Sequence, residues 1–227
     1  MTPPLAVDID GTLTDTDSAV DPRAFDVLRG WDAPVVVATG KALPYPVALC
    51  QFVGIPATVI AENGGLAYVD RTDDLLVLGD RAASQVVVDE YEAAGYDLGW
   101  GDHDFVNRWR ETEVAVSRES PLDPLERIAA DHGLQVVDTG FAYHVKSSDV
   151  TKGRALAAIA EDLGREPSEF VAIGDSVNDV STFDVAGRSF AVANADAAAR
   201  EAADVVVEGR YADGFFDAVE LVEAVEG

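Results

Sequence analysis

The chain predicts an α/β fold: a parallel-sheet core whose two halves are separated by a smaller α+β insertion. Three observations carry this expectation. Short β-branched runs alternate with helical stretches at both ends of the chain. The alternation breaks between about residues 80 and 148, and clusters of Asp, Thr, Gly and Lys stand where apolar runs end.

In the first half, Leu5–Ile9, Val35–Ala38 and Thr58–Ala61 are the expected strands, separated by expected helices Pro22–Trp31 and Pro46–Val53. In the second half, a helix Arg154–Leu163 precedes strands Val171–Ile173, Phe190–Val192 and Val205–Val207. Helices are expected at Val177–Ala186, Asp196–Ala203 and Phe215–Val225. These blocks, 1–79 and 149–227, read as halves of one domain. The middle has helical Arg81–Ala94, a Gly- and Asp-rich turn, strand-like Thr112–Ser117, helical Leu122–Asp131, and a hairpin pairing Gln135–Val137 with Tyr143–Lys146. The hairpin turns at Asp138-Thr139-Gly140, where glycine supplies the positive φ of a tight turn. Residues 80–148 are thus an expected second domain, hinged at Leu78-Gly79 and Ser147-Ser148.

Composition narrows the function. The 227 residues, 48% of them hydrophobic, suffice for a real core. Sixteen basic against 42 acidic residues give a net charge of −26, which repels nucleic acid and anionic membrane. The basic residues include only three lysines, Lys41, Lys146 and Lys152, and a salt-adapted cytoplasm accounts for such a balance. Cys50, the single cysteine, forms no intrachain disulfide and, in the apolar run Val47–Phe52, reads as a core residue. Without a basic, apolar leader or an apolar run of bilayer length, a soluble cytoplasmic protein is expected.

The chemistry gathers at strand ends. Leu5-Ala6-Val7 delivers Asp8 and Asp10 into Gly11-Thr12, at the carboxyl edge where open α/β sheets bind ligands. Asp8 suits a nucleophile, and Asp10 an acid that protonates a leaving oxygen and then activates water. The spacing alone is weak evidence, since it recurs at Asp15/Asp17 and Asp102/Asp104, neither of which follows a buried-looking strand. Thr39-Gly40 ends a second strand and offers a hydroxyl and a free amide to a phosphate oxygen; taken alone it reads equally as a capped turn. Lys152 stands in the first turn of a helix, where the macrodipole disfavours a cation, so lysine and dipole acting together on an anion is the functional reading. Gly174-Asp175-Ser176-Val177-Asn178-Asp179 places two more carboxylates four residues apart. With Asp8 they form an all-oxygen cluster suited to Mg²⁺. His103, His132 and His144 show no zinc spacing and read as surface or hydrogen-bonding groups, although His103 and His144 lie in the insertion, where a ligand is within reach.

Asp8-Ile9-Asp10-Gly11-Thr12, Thr39-Gly40, Lys152-Gly153 and Gly174-Asp175-x-x-Asn178-Asp179, in this order, resemble the four motifs of the haloacid dehalogenase-type phosphatases. The insertion falls between the second and third motifs and resembles, with an αββαββ-like pattern, the C2-type cap of the Cof-like subgroup. Glu62-Asn63-Gly64-Gly65 is similar to that subgroup's Asn-Gly turn. The length, compact cap and acidic composition resemble the archaeal phosphoglycolate phosphatases, haloarchaeal ones in particular. Lys41 stands where many relatives carry Arg, and Val177 where many carry Glu.

The resemblance implies a Rossmann-like core with an inserted cap, and Mg²⁺-dependent hydrolysis of a phosphomonoester through an aspartyl phosphate. Asp8 would be the nucleophile and Asp10 the acid and base. Thr39, Gly40, Lys152 and Asn178 would hold the phosphate; Asp8, the main-chain carbonyl of Asp10, Asp175 and Asp179, directly or through water, would hold the metal. Asp10 as an acid near neutrality calls for burial under the cap. Arg108, Arg110, His103 and Lys146 are the cap candidates for a substrate carboxylate, Arg being suited to bidentate contact. Alternatives on the same scaffold are a sugar-phosphate phosphatase or a phosphomutase; outside it, a phospho-aspartate signalling module or a metal-binding protein.

Overall fold

The computed structural model describes residues 1–226. In chain order its elements are β1 (Leu5–Asp8), α1 (Arg23–Gly30), β2 (Val35–Ala38), α2 (Pro44–Val53), β3 (Thr58–Ala61), β4 (Leu66–Val69), β5 (Asp74–Val77), α3 (Arg81–Ala93), β6 (Val114–Ser117) and α4 (Leu122–Asp131). There follow β7 (Gln135–Asp138), β8 (Ala142–Lys146), α5 (Lys152–Asp162), β9 (Val171–Gly174), α6 (Val180–Val185), β10 (Arg188–Ala191), α7 (Ala197–Ala202), β11 (Val205–Val206) and α8 (Tyr211–Glu226).

The large sheet has the order β11-β10-β9-β1-β2-β3-β4-β5. β11 through β3 run parallel, so β1 is central and the tips of β1, β2 and β9 share one edge. Side chains alternate across the sheet with period two. Leu5, Val7, Val35 and Val37 pack with Leu28, Cys50, Val53 and Phe215 of α1, α2 and α8. Ala6, Val36, Ala38 and Ile60 pack on the opposite face with Leu156 and Ile159 of α5. Burial on both faces is why these strands are apolar throughout rather than alternating.

Two strands on the large sheet, β4 and β5, go beyond the sequence expectation. They continue it antiparallel from β3, and β5 is an exposed edge whose Leu75 and Val77 face solvent. α8 begins at Tyr211, four residues before the expected Phe215, and the expected helix Val177–Ala186 is a 3₁₀ turn at Val177–Asp179 followed by α6.

The smaller sheet has the antiparallel order β6-β8-β7, covered by α3 and α4 over Val87, Tyr91, Val116, Leu125 and Val145. Its pattern is αβαββ, one strand short of the expected αββαββ. Instead of a strand before β6, residues 94–113 form turns, and side chains occupy the edge. The Asn107 amide accepts from Ala115 N at 2.8 Å and donates to Ala115 O at 2.8 Å, while Trp100 Nε1 donates to the same carbonyl. The open edge of β6 is thereby satisfied without a neighbour. On β8 alternation sends Tyr143 and Val145 into the apolar cluster and His144 and Lys146 to the opposite face, which meets the large-sheet unit at Asn63.

Candidate active site at the strand tips

A cavity of about 480 Å³ opens at the tips of β1, β2 and β9. Asp8, Asp10, Gly40, Asn63, Asp175 and Asn178 line its floor, and residues of the smaller unit, among them Phe105, Arg110, Phe141 and His144, line the facing wall.

Asp8 ends β1 and is buried; its Oδ1 accepts from Lys152 Nζ at 2.7 Å. The same ammonium donates to Asp179 Oδ1 at 2.7 Å and is 0% exposed. Thr151 caps α5 by accepting from Arg154 N, which fixes the first turn that carries Lys152. Burial works against the ammonium, but Asp179 and Asp8 outweigh it and raise its pKa. Asp8 is pushed well above the usual carboxylate range, first by burial and then by Asp179 and Asp175, with Lys152 opposing.

The carboxylates of Asp8, Asp175 and Asp179 offer oxygens within 4.8 Å of one another. Burial and Asp179 likewise raise Asp175. With all three ionised, as they would be around a cation, three carboxylates against one ammonium leave two negative charges in excess, and Asp8 Oδ2 is buried with no hydrogen-bond partner. Hard oxygen donors, that charge excess and an orphaned carboxylate oxygen fit a divalent cation such as Mg²⁺. The three differ in availability. Asp179 Oδ2 accepts from Asp175 N at 3.0 Å and Ser176 N at 3.2 Å, so both of its oxygens are engaged. The Asp175 carboxylate accepts no hydrogen bond among the described residues and lies against Gly11, where a Cβ would stand 2.1 Å from Asp175 Oδ2. Gly11, at φ +83°, makes both the turn and the room for that carboxylate.

Asp10 does not join this cluster through its side chain. The carboxylate pairs with Lys41 and is 46% exposed, so the burial expected for it is absent. Thr39 is buried at the tip of β2, and its Oγ1 accepts from Lys41 N at 3.1 Å. Gly40 is kept free of a side chain by Asn63, whose Oδ1 lies 2.9 Å from where a Cβ would be. Asn178 Nδ2 donates to that same Oδ1 at 3.0 Å, and Asn178 Oδ1 accepts from Ser176 Oγ at 2.8 Å.

The chain as a whole matches a family of known proteins. The model for haloacid dehalogenase-like hydrolases covers residues 5–93 and 125–219. The chain belongs to that family. This hydrolase is 60% identical over 222 residues to the phosphoglycolate phosphatase of Halobacterium salinarum, covering 98% of each chain. It is 58% identical to that of Natronomonas pharaonis, over 97% of each, and 37% identical to that of Archaeoglobus fulgidus, over 96% of each. Its fold matches a crystal structure from Thermoplasma acidophilum with a TM-score of 0.82 at 24% identity, covering 98% of this chain and 99% of that one. A Thermotoga maritima structure matches with a TM-score of 0.79 at 18% identity, over 99% and 97%.

The hydrolase also carries a buried network that the motifs do not include. Glu113, at the start of β6, accepts from His144 Nδ1 at 2.8 Å, from Asn63 Nδ2 at 3.1 and 3.2 Å, and from Arg110 in a close ion pair. Burial opposes its charge, yet His144 and Arg110 hold its carboxyl down at about 2. Glu62 ties the units together from the other side, accepting from Glu111 N, Thr112 N and Thr112 Oγ1. Both Glu62 and Asn63 adopt positive φ, 52° and 54°, which turns their side chains toward the smaller unit.

Of the four cap candidates read from sequence, Arg110 and Lys146 belong to this network, and Arg110 lines the cavity. Arg108 and His103 do not line it; they pack on Trp109 and Phe105. Glu113 was missed because one acid among 42 is inconspicuous. Its signal was phase: with Ala115 it occupies the face of β6 opposite Val116.

Proposed function

We propose that this hydrolase cleaves phosphomonoesters through Asp8, with 2-phosphoglycolate as the substrate and glycolate and phosphate as the products. The observation that carries the reading is Asp8 itself: a buried carboxylate at a strand tip, one oxygen held by a fully buried lysine and the other unpartnered, at the floor of a cavity. The close likeness to phosphoglycolate phosphatases supports the choice of substrate.

Residues 1–79 and 149–227 then act as the catalytic core and 80–148 as the cap over it. Asp8 attacks phosphorus in line, forming an acyl phosphate, and the departing alkoxide takes a proton from Asp10. Asp10 must first release Lys41 and carry a proton, the one it takes from water in the preceding turnover, before it can serve the leaving oxygen. In the second half-reaction Asp10, as the carboxylate that Lys41 pairs, takes a proton from the water that attacks the acyl phosphate. Lys152 cancels part of the repulsion between Asp8 and the phosphate dianion. Thr39 and the Gly40 amide hold transferring oxygens, and Asn178, fixed by Asn63 and Ser176, orients them. Asp8 and Asp175 would hold Mg²⁺ directly together with the Asp10 carbonyl, and Asp179 through water; bound there, the ion neutralises charge on the phosphoryl group.

The test is phosphate release from 2-phosphoglycolate, sugar phosphates and nitrophenyl phosphate in molar KCl, with and without Mg²⁺, and with Asp8→Asn alongside. The reading expects Mg²⁺-dependent release, selective for 2-phosphoglycolate and abolished by the substitution. Equal turnover of sugar phosphates would remove the substrate, and full activity of Asp8→Asn would remove the mechanism.

A further inference from the structure

The cap wall of the cavity presents few cationic groups, and their hydrogen bonds distinguish them. Arg110 is engaged: its Nε donates to Val106 O at 3.1 Å, its Nη1 to Gly40 O at 3.0 Å, and its charge is paired with Glu113. Lys146 donates to Asn63 O at 3.2 Å and lines a second cavity behind the first. His144 lines the first cavity with Asp8 and uses only Nδ1, on Glu113 at 2.8 Å. Among the described residues its Nε2 has no partner, and it is not among the polar atoms sealed without one. The cavity floor carries Asp8, Asp10 and Asp175, which repel a second anionic group, and one cation, Lys41, whose charge is taken up by Asp10.

We propose that His144, oriented by Glu113, determines specificity: its imidazolium Nε2–H donates to the carboxylate of a short phosphorylated acid whose phosphate lies at Asp8. Glu113 is a positioning residue, holding Nδ1–H and balancing the ring's charge. The reach is short, because a single amide, that of Asn63, links His144 to Asn178, one of the groups proposed to hold the phosphate. Asn63 Nδ2 lies 3.3 Å from His144 Nδ1, and Asn63 Oδ1 lies 3.0 Å from Asn178 Nδ2. A two-carbon acid suits that span better than a sugar. The inference rests on the proposed phosphatase reading and deepens it, since it assigns the recognition of the carboxylate to one atom.

The experiment compares kcat/KM for 2-phosphoglycolate with that for ethyl phosphate, which has a methyl group in place of the carboxylate. Asn at position 144 keeps a donor where Nδ1 stands and loses Nε2; Gln keeps a donor where Nε2 stands. His144→Asn is expected to lower the ratio about ten- to hundredfold, the worth of a charge-assisted hydrogen bond, and His144→Gln to lower it less. A high wild-type ratio retained by His144→Asn, or lost more by His144→Gln, would overturn the assignment of His144 alone. A wild-type ratio near one would overturn the substrate reading, and the assignment with it. Should His144→Asn not fold, ¹⁵N spectra of Asp8→Asn enzyme serve. The His144 Nε2 resonance is expected to move with 2-phosphoglycolate and not with ethyl phosphate; movement with both or neither would overturn the proposal.

Discussion

Replacing Lys152 with methionine removes the one cation inside the Asp8–Asp179 pair while keeping most of the side-chain volume. The ammonium is 0% exposed and makes two hydrogen bonds of 2.7 Å to carboxylates that are themselves buried. Deleting one partner of a buried ion pair typically costs about 3–5 kcal/mol, because the charge left behind has no compensation. In a chain of this size each kcal/mol lowers Tm by roughly 2–4 °C, so Lys152→Met is expected to melt about 6–20 °C below wild type. A cycle isolates the cause. In Lys152→Met/Asp179→Asn one of the two stranded charges is gone, and the Asn carbonyl can still accept from the Asp175 and Ser176 amides. The double variant is therefore expected to melt above Lys152→Met. The assay is thermal unfolding by circular dichroism in molar KCl. A Lys152→Met melt within about 2 °C of wild type, well under the expected loss, would refute the reasoning; so would a double variant that loses the sum of both single effects.

Two further predictions concern pH and salt. Glu113, held down at about 2 by His144 and Arg110 against burial, contributes stability that is present above its unfolded value near 4.5 and lost as pH falls from there toward 2, on the order of 3 kcal/mol. Glu113→Gln should flatten the acid limb of stability against pH relative to wild type; superimposable limbs would show that the carboxylate does not titrate in that window. The net charge of −26 should make Tm climb steeply as KCl is raised from about 0.1 M, where the Debye length is roughly 10 Å, toward 1 M, where it is roughly 3 Å. A Tm indifferent to KCl across that range would remove salt adaptation as the reason for the composition.

How legible the molecule was in its sequence depended on whether a signal was local. β1, β2, β3 and β9 announce themselves as apolar runs, and β1, β2 and β9 end in residues that strand geometry delivers to a common edge, so Asp8, Thr39 and Asp175 were readable from sequence alone. Lys152 was readable because a lysine at a helix start is out of place without an anion. β4 and β5 were not, since Asp74-Leu75-Leu76-Val77 is an exposed edge strand whose pairing comes from β3 and β4 rather than from its own pattern. The missing cap strand was hidden for the opposite reason: side chains of a turn, Asn107 and Trp100, 8 and 15 residues before the Ala115 carbonyl they bond, do a neighbouring strand's hydrogen bonding. Asp10 was legible as a residue and not as a contact, because its partner Lys41 lies 31 positions away on another strand's exit.

The lysines tie composition to site. The chain has three, and all of them stand at the strand tips or on the cap face above them: Lys41 on Asp10, Lys146 on the Asn63 carbonyl, and Lys152 between Asp8 and Asp179. Every other cationic side chain apart from histidine is arginine, and several of those pair with acids on the surface, as Arg23 does with Asp21 and Asp213 and Arg154 with Asp149. The partition follows from shape. A planar guanidinium with five donors serves an exposed carboxylate well, but it does not fit a sealed position where one atom must bridge two carboxylates at 2.7 Å; a compact ammonium does. A composition that has given up nearly all its lysine keeps it where the charge must be a point. On that argument Lys152→Arg is not a conservative exchange: it retains the charge and loses the bridge.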